Sequence, residues 1–263
     1  MVTKKNQAGL WVLAFDLHYP KLHKPSFNAM MDFIKNSPAP IRGFVFGGDM
    51  FDNAAISHHN VRRILFREPG AYAKDTKGFE QNILNPIEAL LPKTADRIWI
   101  NGNHEAWTRQ LVEENPELEG TVEREEIYGL IDRGWIFKDT GQTFNIGKLL
   151  VLHGETLKGS NHAKNSVEMY AQSTIYGHYH TSQRWTKILP HSKSDKWIGH
   201  AIGCLCETNP VYLRNSPTAW INSFAIVEVN EEGDFNVHEA VVTKGKFRFA
   251  GKVYGAKSQI SKR

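Results

Sequence analysis

The chain is 263 residues long, 41% hydrophobic and 23% charged, with a formal net charge of +4. That is enough apolar material for one sizeable core, in one large domain or two small ones. No apolar leader precedes the first strand-like run and no stretch approaches about 18 apolar residues, so neither export nor membrane insertion is indicated. A cytoplasmic location with no membrane partner is expected.

Taken in chain order, five short runs rich in Val, Ile, Leu, Trp and Phe end in polar motifs. Leu10 to Phe15 leads into Asp16-Leu17-His18, Gly43 to Phe46 into Gly47-Gly48-Asp49, and Arg97 to Ile100 towards Gly102-Asn103-His104-Glu105. Lys148 to Leu152 leads into His153-Gly154-Glu155, and Thr174 to Tyr176 into Gly177-His178-Tyr179-His180. Apolar runs bounded by Gly or Asn read as strands. Helix-like stretches lie between them: Ser26 to Asn36, Ser57 to Phe66, Gly78 to Leu91, Glu105 to Glu114, Glu123 to Arg133 and Asn161 to Gln172. Such alternation predicts an α/β layered fold with functional side chains at the loop edge of a sheet.

After residue 185 the pattern turns β-rich. Trp197 to Cys206, Ser223 to Val229, Phe235 to Val242 and Lys246 to Phe249 read as strands, with Asn230 to Asp234 a hairpin connection. No repeat, low-complexity tract or linker divides the chain, and motifs running from 16 to 180 must fold as a unit. A single domain over 1–263 is expected: a motif-bearing part (10–185), a β-rich part (186–250) and a basic tail (251–263).

Singly, each motif has a plain reading. Asp-x-His after an apolar run is common by chance and Gly-Gly-Asp alone is a turn, although Gly-Asn-His is an unusual way to end a buried strand. Two histidines one residue apart on an extended segment point the same way and can converge on one site. Together the motifs supply two Asp, one Asn and four His, every ligand type that a two-metal phosphoester-cleaving site needs. Two divalent cations about 3.5–4 Å apart neutralise phosphate oxygens and lower the pKa of a bound water. A mixed nitrogen and oxygen set suits Mn, Fe, Zn or Ni better than an all-oxygen magnesium cage.

In order and type the five motifs resemble the calcineurin-like metallophosphoesterases, whose pattern is DxH, GDxx(D), GNH(D/E), H and GHxH. The resemblance covers residues 16 to 180. The His-Gly-Glu motif and Asn115-Pro116-Glu117-Leu118 look like the compact type found in phages and bacteria. It implies a two-sheet ββ sandwich flanked by helices (αββα), the β-rich part forming the second sheet. It also implies two divalent metal ions, with Mn favoured over Fe, Zn, Ni or Mg. Asp16, His18, Asp49 and His180 would hold the first metal. Asp49, Asn103, His153 and His178 would hold the second, with Asp49 bridging. His104 would contact phosphate and protonate the leaving oxygen, while Glu105 orients and charge-stabilises His104.

One departure bears on the substrate. In Gly48-Asp49-Met50-Phe51-Asp52-Asn53 the last residue is Asn, where protein Ser/Thr phosphatases carry a phosphate-gripping Arg. Arg109 or Arg184 could substitute from elsewhere. Charge is unevenly placed: residues 113 to 126 carry seven Glu and one Arg, while residues 240 to 263 carry seven Lys or Arg and no acid. The plain reading is a solvated helix face and a solvated tail; the sharper one is a strip that attracts nucleic acid. Cys204 and Cys206 read as buried reduced thiols sharing one face of a strand. His58, His59 and His162 read as non-catalytic, and Trp107 as a packing anchor rather than a base-stacking platform. The expected function is a phosphodiesterase or nuclease acting on nucleic acid or nucleotides, the alternatives being a phosphomonoesterase and a noncatalytic scaffold.

Overall fold

The structure is a computed structural model that describes residues 7–57, 68–189, 192–210 and 216–255. Two sheets lie face to face. The first has six strands in the order β11-β10-β1-β2-β3-β4, formed by Phe235–Val241, Ser223–Val229, Gly9–Ala14, Ile41–Gly47, Asp96–Ile100 and Trp135–Lys138. The second has five in the order β5-β6-β7-β9-β8, formed by Phe144–Ile146, Leu149–Val151, Ser173–Tyr176, Ser192–Ala201 and Gln183–Leu189. A ribbon of β12 (Lys246–Phe249) and β13 (Lys252–Gly255) completes the strands.

Strand periodicity explains the layering, because alternate side chains leave opposite faces. In β1, Leu10, Val12 and Ala14 enter a core shared with helix α1 (Lys24–Asn36) and with the helical segment Ala71–Leu90, while Trp11 and Leu13 enter the space between the sheets. In β10, Phe224 and Ile226 take the helix side, and Ala225 and Val227 the inter-sheet side. From the second sheet, Leu149, Val151 and Ile175 fill the inter-sheet layer. Leu150 and Tyr176 face outward, where helix α6 (His162–Tyr170) packs on β7, β8 and β9. This is the expected αββα sandwich.

Sheet membership differs from the expectation for the β-rich part. Of the strands expected there, only Ser192–Ala201 joins the second sheet, beside β8, whereas β10 pairs antiparallel with β1 and carries β11 at its outer edge. Six of the seven residues of β10 are buried there, as in a strand covered on both faces. Gly78 to Leu91 is a longer, composite element: α2 (Ala71–Phe79), a π-helical turn (Glu80–Leu84) and α3 (Asn85–Leu90). Glu123 to Arg133 shrinks to a single turn, α5 (Arg124–Ile127), followed by Gly129 at φ +58°. Helix α4 (Asn103–Glu114) agrees with its expectation. The helix expected at Ser57 to Phe66, with His58 and His59, lies outside the described residues beyond Ser57, as do residues 256–263 of the basic tail. Among the described residues no helix is long and apolar enough to cross a membrane.

Under the motif loops sits an aromatic cluster. Phe46, the last large side chain of β2, stacks on Trp135 at 5.4 Å between ring centres and meets Trp99 at 5.2 Å and Phe79 at 5.7 Å. Phe46→Ala leaves a cavity that these rings cannot close, so the unfolding free energy should drop by about 3–5 kcal/mol. Urea titration reads this as a lower midpoint at unchanged slope.

Candidate metal centre

All five motifs follow strands, and parallel pairing brings the ends of β1, β2 and β3 to one edge and those of β6 and β7 to another. The two edges join through His178 N–H, which donates to Asp16 Oδ2 at 2.8 Å, and His153 Nδ1, which lies 3.1 Å from the Gly47 carbonyl. At this junction Asp16, His18, Asp49, His178 and His180 all have positive φ, between +46° and +66°. Such backbone costs of order 1–3 kcal/mol per residue and gathers at functional sites. His178 and His180 are therefore left-handed rather than extended, and they serve opposite halves of the site.

In one half, His180 Nε2 lies 3.3 Å from Asp16 Oδ1 and 3.2 Å from His18 Nε2, which is 3.8 Å from Asp49 Oδ2. In the other, His153 Nε2 lies 3.2 Å from Asp49 Oδ2 and 3.1 Å from Asn103 Oδ1. Donor atoms of Asp49, His153 and His178 all fall within 4.8 Å of one another, as do those of Asp16, His18 and Asp49. One oxygen, Asp49 Oδ2, thus faces both halves. Its partner Oδ1 accepts a hydrogen bond from His104 N–H at 2.9 Å. A Cβ at Gly102 would strike that same oxygen, which explains the glycine there.

Protonation shows that this set fits divalent cations. The carbonyl of Gly47 can only accept, so the bond to it at 3.1 Å places a proton on His153 Nδ1 and turns Nε2 toward two oxygens. A lone pair facing two acceptors is repulsive unless a proton or a metal lies between them. Burial opposes charge on His153, but Asp49 overrides it and raises the pKa to about 10. Burial likewise opposes charge on His180, and Asp16 raises it. Burial pushes the Asp49 carboxyl up, but His153 and His104 hold it well below the usual range. Burial lowers His18 and His178, helped by neighbouring imidazoles. A proton on His153 thus supplies charge that a cation would supply. Among the described residues, the buried atoms Asp16 Oδ1 and His178 Nδ1 have no hydrogen-bond partner, as ligands held for an ion would.

His104 opens helix α4 beside this cluster. Its Nδ1–H donates to the Asp52 carbonyl at 2.8 Å, leaving Nε2 3.9 Å from Asp49 Oδ2. The role expected of Glu105 is corrected here. Its carboxylate does not hold the His104 ring, because a glutamate three residues into a helix folds back to the amide that begins it. It accepts from Gly102 N–H at 2.8 Å, Asp49 N–H at 2.9 Å and Phe51 N–H at 3.1 Å, clamping two motif loops together. Burial, then Asp49, raises its pKa to about 6.

Four neighbours were not singled out from the sequence as part of the site. Asp52, within the Gly-Gly-Asp motif's own extension, brings Oδ1 to 3.8 Å from His18 Nδ1 and binds Lys21 at 2.7 Å. Cys206 Sγ lies 3.9 Å from His180 Nδ1, and Trp220 packs on the His180 ring at 4.1 Å. Arg124, the lone base of the acidic stretch, is buried and donates to Asn53 Oδ1 at 2.7 Å. Only Asp52 carried a signal, its place in the pattern. Cys204 and Cys206 are free and buried as expected, but they pair by isolated bridges and not along one strand. Half-buried Trp107 lies 4.1 Å from the His104 ring. His162 stacks on Tyr179 and bonds the Tyr176 hydroxyl, away from the ligands.

No protein-family model matches the sequence, and a search of curated proteins finds no match. Among solved structures, the chain is similar to vacuolar protein sorting 29 from Cryptosporidium parvum at 11% identity and a TM-score of 0.47, covering 95% of this chain and 99% of that one. It is also similar to Vps29 of Chaetomium thermophilum at 11% identity and a TM-score of 0.40, covering 90% and 100%.

A metal bound through His153 Nε2 would displace a proton there, so calorimetric Mn titration in buffers of differing ionisation enthalpy should show net proton release near neutral pH. Affinity should weaken as pH falls, the direction set by a folded pKa raised to about 10. Asp49→Asn should remove tight Mn binding altogether rather than halve its stoichiometry, since one oxygen serves both donor sets.

Proposed function

We propose that this chain is a dinuclear-metal phosphoesterase of the calcineurin-like kind, acting on phosphodiesters of nucleic acid or nucleotides. The observation that carries the reading is Asp49 Oδ2, set between a His18, His180 and Asp16 group and a His153, Asn103 and His178 group. When bound, two divalent ions, with Mn favoured, would neutralise the phosphate oxygens and make hydroxide available near neutral pH.

The chain's own residues supply position and proton transfer. Asp49 and Asp16 bring anionic oxygens to each donor set, and strand ends in left-handed conformations hold them. Asn103 presents an amide oxygen from the first turn of α4. His104 has Nδ1 committed to the Asp52 carbonyl, so its proton for the leaving oxygen comes from Nε2. Glu105 keeps the loops carrying Asp49 and His104 in register.

The preference for diesters rests on what replaces the phosphatase arginine. Asn53 is buried, with its oxygen on Arg124 and its nitrogen on the His104 carbonyl, so it offers nothing to phosphate. Arg109 pairs with Asp139, and Arg184 is exposed on β8. A monoester carries an extra negative charge that such a clamp would otherwise neutralise. The lysine- and arginine-rich C-terminal stretch adds attraction for a polyanion.

Turnover of bis-p-nitrophenyl phosphate and of p-nitrophenyl phosphate, compared across Mn, Mg, Ni and Zn, should favour the diester. His104→Ala should slow cleavage of a dinucleotide by about 10²–10⁴-fold while Mn still binds. Monoester turnover far above diester turnover would transfer the reading to a phosphomonoesterase. Mn binding without turnover on any ester would leave a scaffold.

A further inference from the structure

Arg124 is 4% exposed, yet among the described residues it makes no ion pair within 4 Å. Burying a guanidinium this way is expensive unless other groups hold its charge. The groups in direct contact are neutral or aromatic, while the carboxylates of Glu105 and Asp75 act on the charge from farther off. Nη1 donates to Asn53 Oδ1 at 2.7 Å and Nε to Thr76 Oγ1 at 3.1 Å. The guanidinium carbon lies 3.5 Å from the centre of the Phe51 ring and 4.2 Å from that of Tyr72, close enough for cation–π attraction on both.

Two of these partners, Phe51 and Asn53, flank Asp52. That three-residue turn supplies two anchors of His104, beside the Asp49 carboxylate that takes its amide. The Asp52 carbonyl takes the ring nitrogen Nδ1 at 2.8 Å, and the Asn53 side-chain amide donates to the His104 carbonyl at 2.7 Å. Asn53 stands at φ +51°, a left-handed conformation that asparagine tolerates better than most residues. Arg124 fixes the amide's oxygen and thereby aims its nitrogen.

We propose that Arg124 is a positioning residue for His104: by clamping the Phe51–Asn53 turn from the acidic segment, it sets where the imidazole stands. The inference rests on the phosphoesterase reading for its catalytic consequence, but not for the placement of the ring. It also gives the segment around residue 124 a purpose that its composition hides, since its single arginine docks it on the catalytic turn.

A general acid matters most when the leaving group is a poor one, and this distinguishes positioning from mere support. Arg124→Met should lower kcat at least about tenfold on a diester with a sugar alkoxide leaving group, with KM little changed. The loss should be smaller on bis-p-nitrophenyl phosphate, whose phenolate leaves unaided. In a His104→Ala background the same substitution should add almost nothing, because both act through one group. Arg124→Lys, which keeps the charge without the planar fork, should fall between and guards against a variant that fails to fold. Equal losses on both leaving groups, or losses that add to those of His104→Ala, would make Arg124 a structural prop and overturn the proposal. Should the parent chain cleave no ester, the function fails separately, and imidazole nitrogen NMR still decides the placement. An unchanged His104 Nδ1 resonance in Arg124→Met and Arg124→Lys would refute it.

Discussion

A single buried carboxylate organises this protein. Asp49 sits where two sheets meet, within a few ångströms of three imidazoles and with two other buried acids, Asp16 and Glu105, close by. So much negative charge out of water is tolerable only if positive partners surround it. They do so in graded fashion. The amide of His104 and the first turn of α4 face Oδ1, where the helix dipole favours an anion. Glu105 is satisfied by three amides, and the carboxylates of Asp49 and Asp16 favour the charged forms of His153 and His180. The hydrophobic layers on either side make this arrangement rigid, because Trp11, Leu13 and Phe15 wedge between the sheets directly below it.

How much of this the sequence reveals depends on the range of the interaction. Strands ending in motif residues are local facts: a Val, Ile and Phe run followed by Gly or Asn stops where its side chains stop being apolar, and β1, β2, β3, β6 and β7 lie within a residue or two of their expected limits. Pairing is not local. Ser223–Val229 is legible as a strand, but nothing in it says that it lies beside β1 rather than in the second sheet; only its burial on both faces does. Trp135–Lys138 is a strand not predicted from the sequence, and the helix-like pattern before it is interrupted by Gly129 and Gly134, both at positive φ. The donor residues were legible as types and order, but their conformation was not. Two histidines in Gly177-His178-Tyr179-His180 reach opposite halves of the centre because each takes a left-handed backbone, which no periodicity argument supplies.

Composition misled most in the acidic stretch. Seven glutamates around one arginine read as a solvated face, and for Glu113, Glu114, Glu117, Glu119 and Glu126 that is what they are. The minority residue behaves oppositely. Arg124 turns inward, between Phe51 and Tyr72, and is the segment's link to the motif residues. Averaged charge describes the surface of a segment and is blind to the one side chain that leaves it.

On the proposed phosphoesterase reading, the same turn would tie substrate preference to the geometry of proton transfer. A guanidinium at position 53 would reach toward phosphate and compensate a dianion. An asparagine there is short, turns back, and spends both ends of its amide inside the protein, on Arg124 and on the His104 carbonyl. The positive charge has not vanished from the neighbourhood; it has moved behind the turn, where aromatic faces and burial keep it from the substrate. On that reading, a site built this way would exchange grip on the phosphate for firmness of the acid that releases the leaving group. That exchange suits an ester with one negative charge and an alkoxide to expel, which is what an internucleotide bond presents.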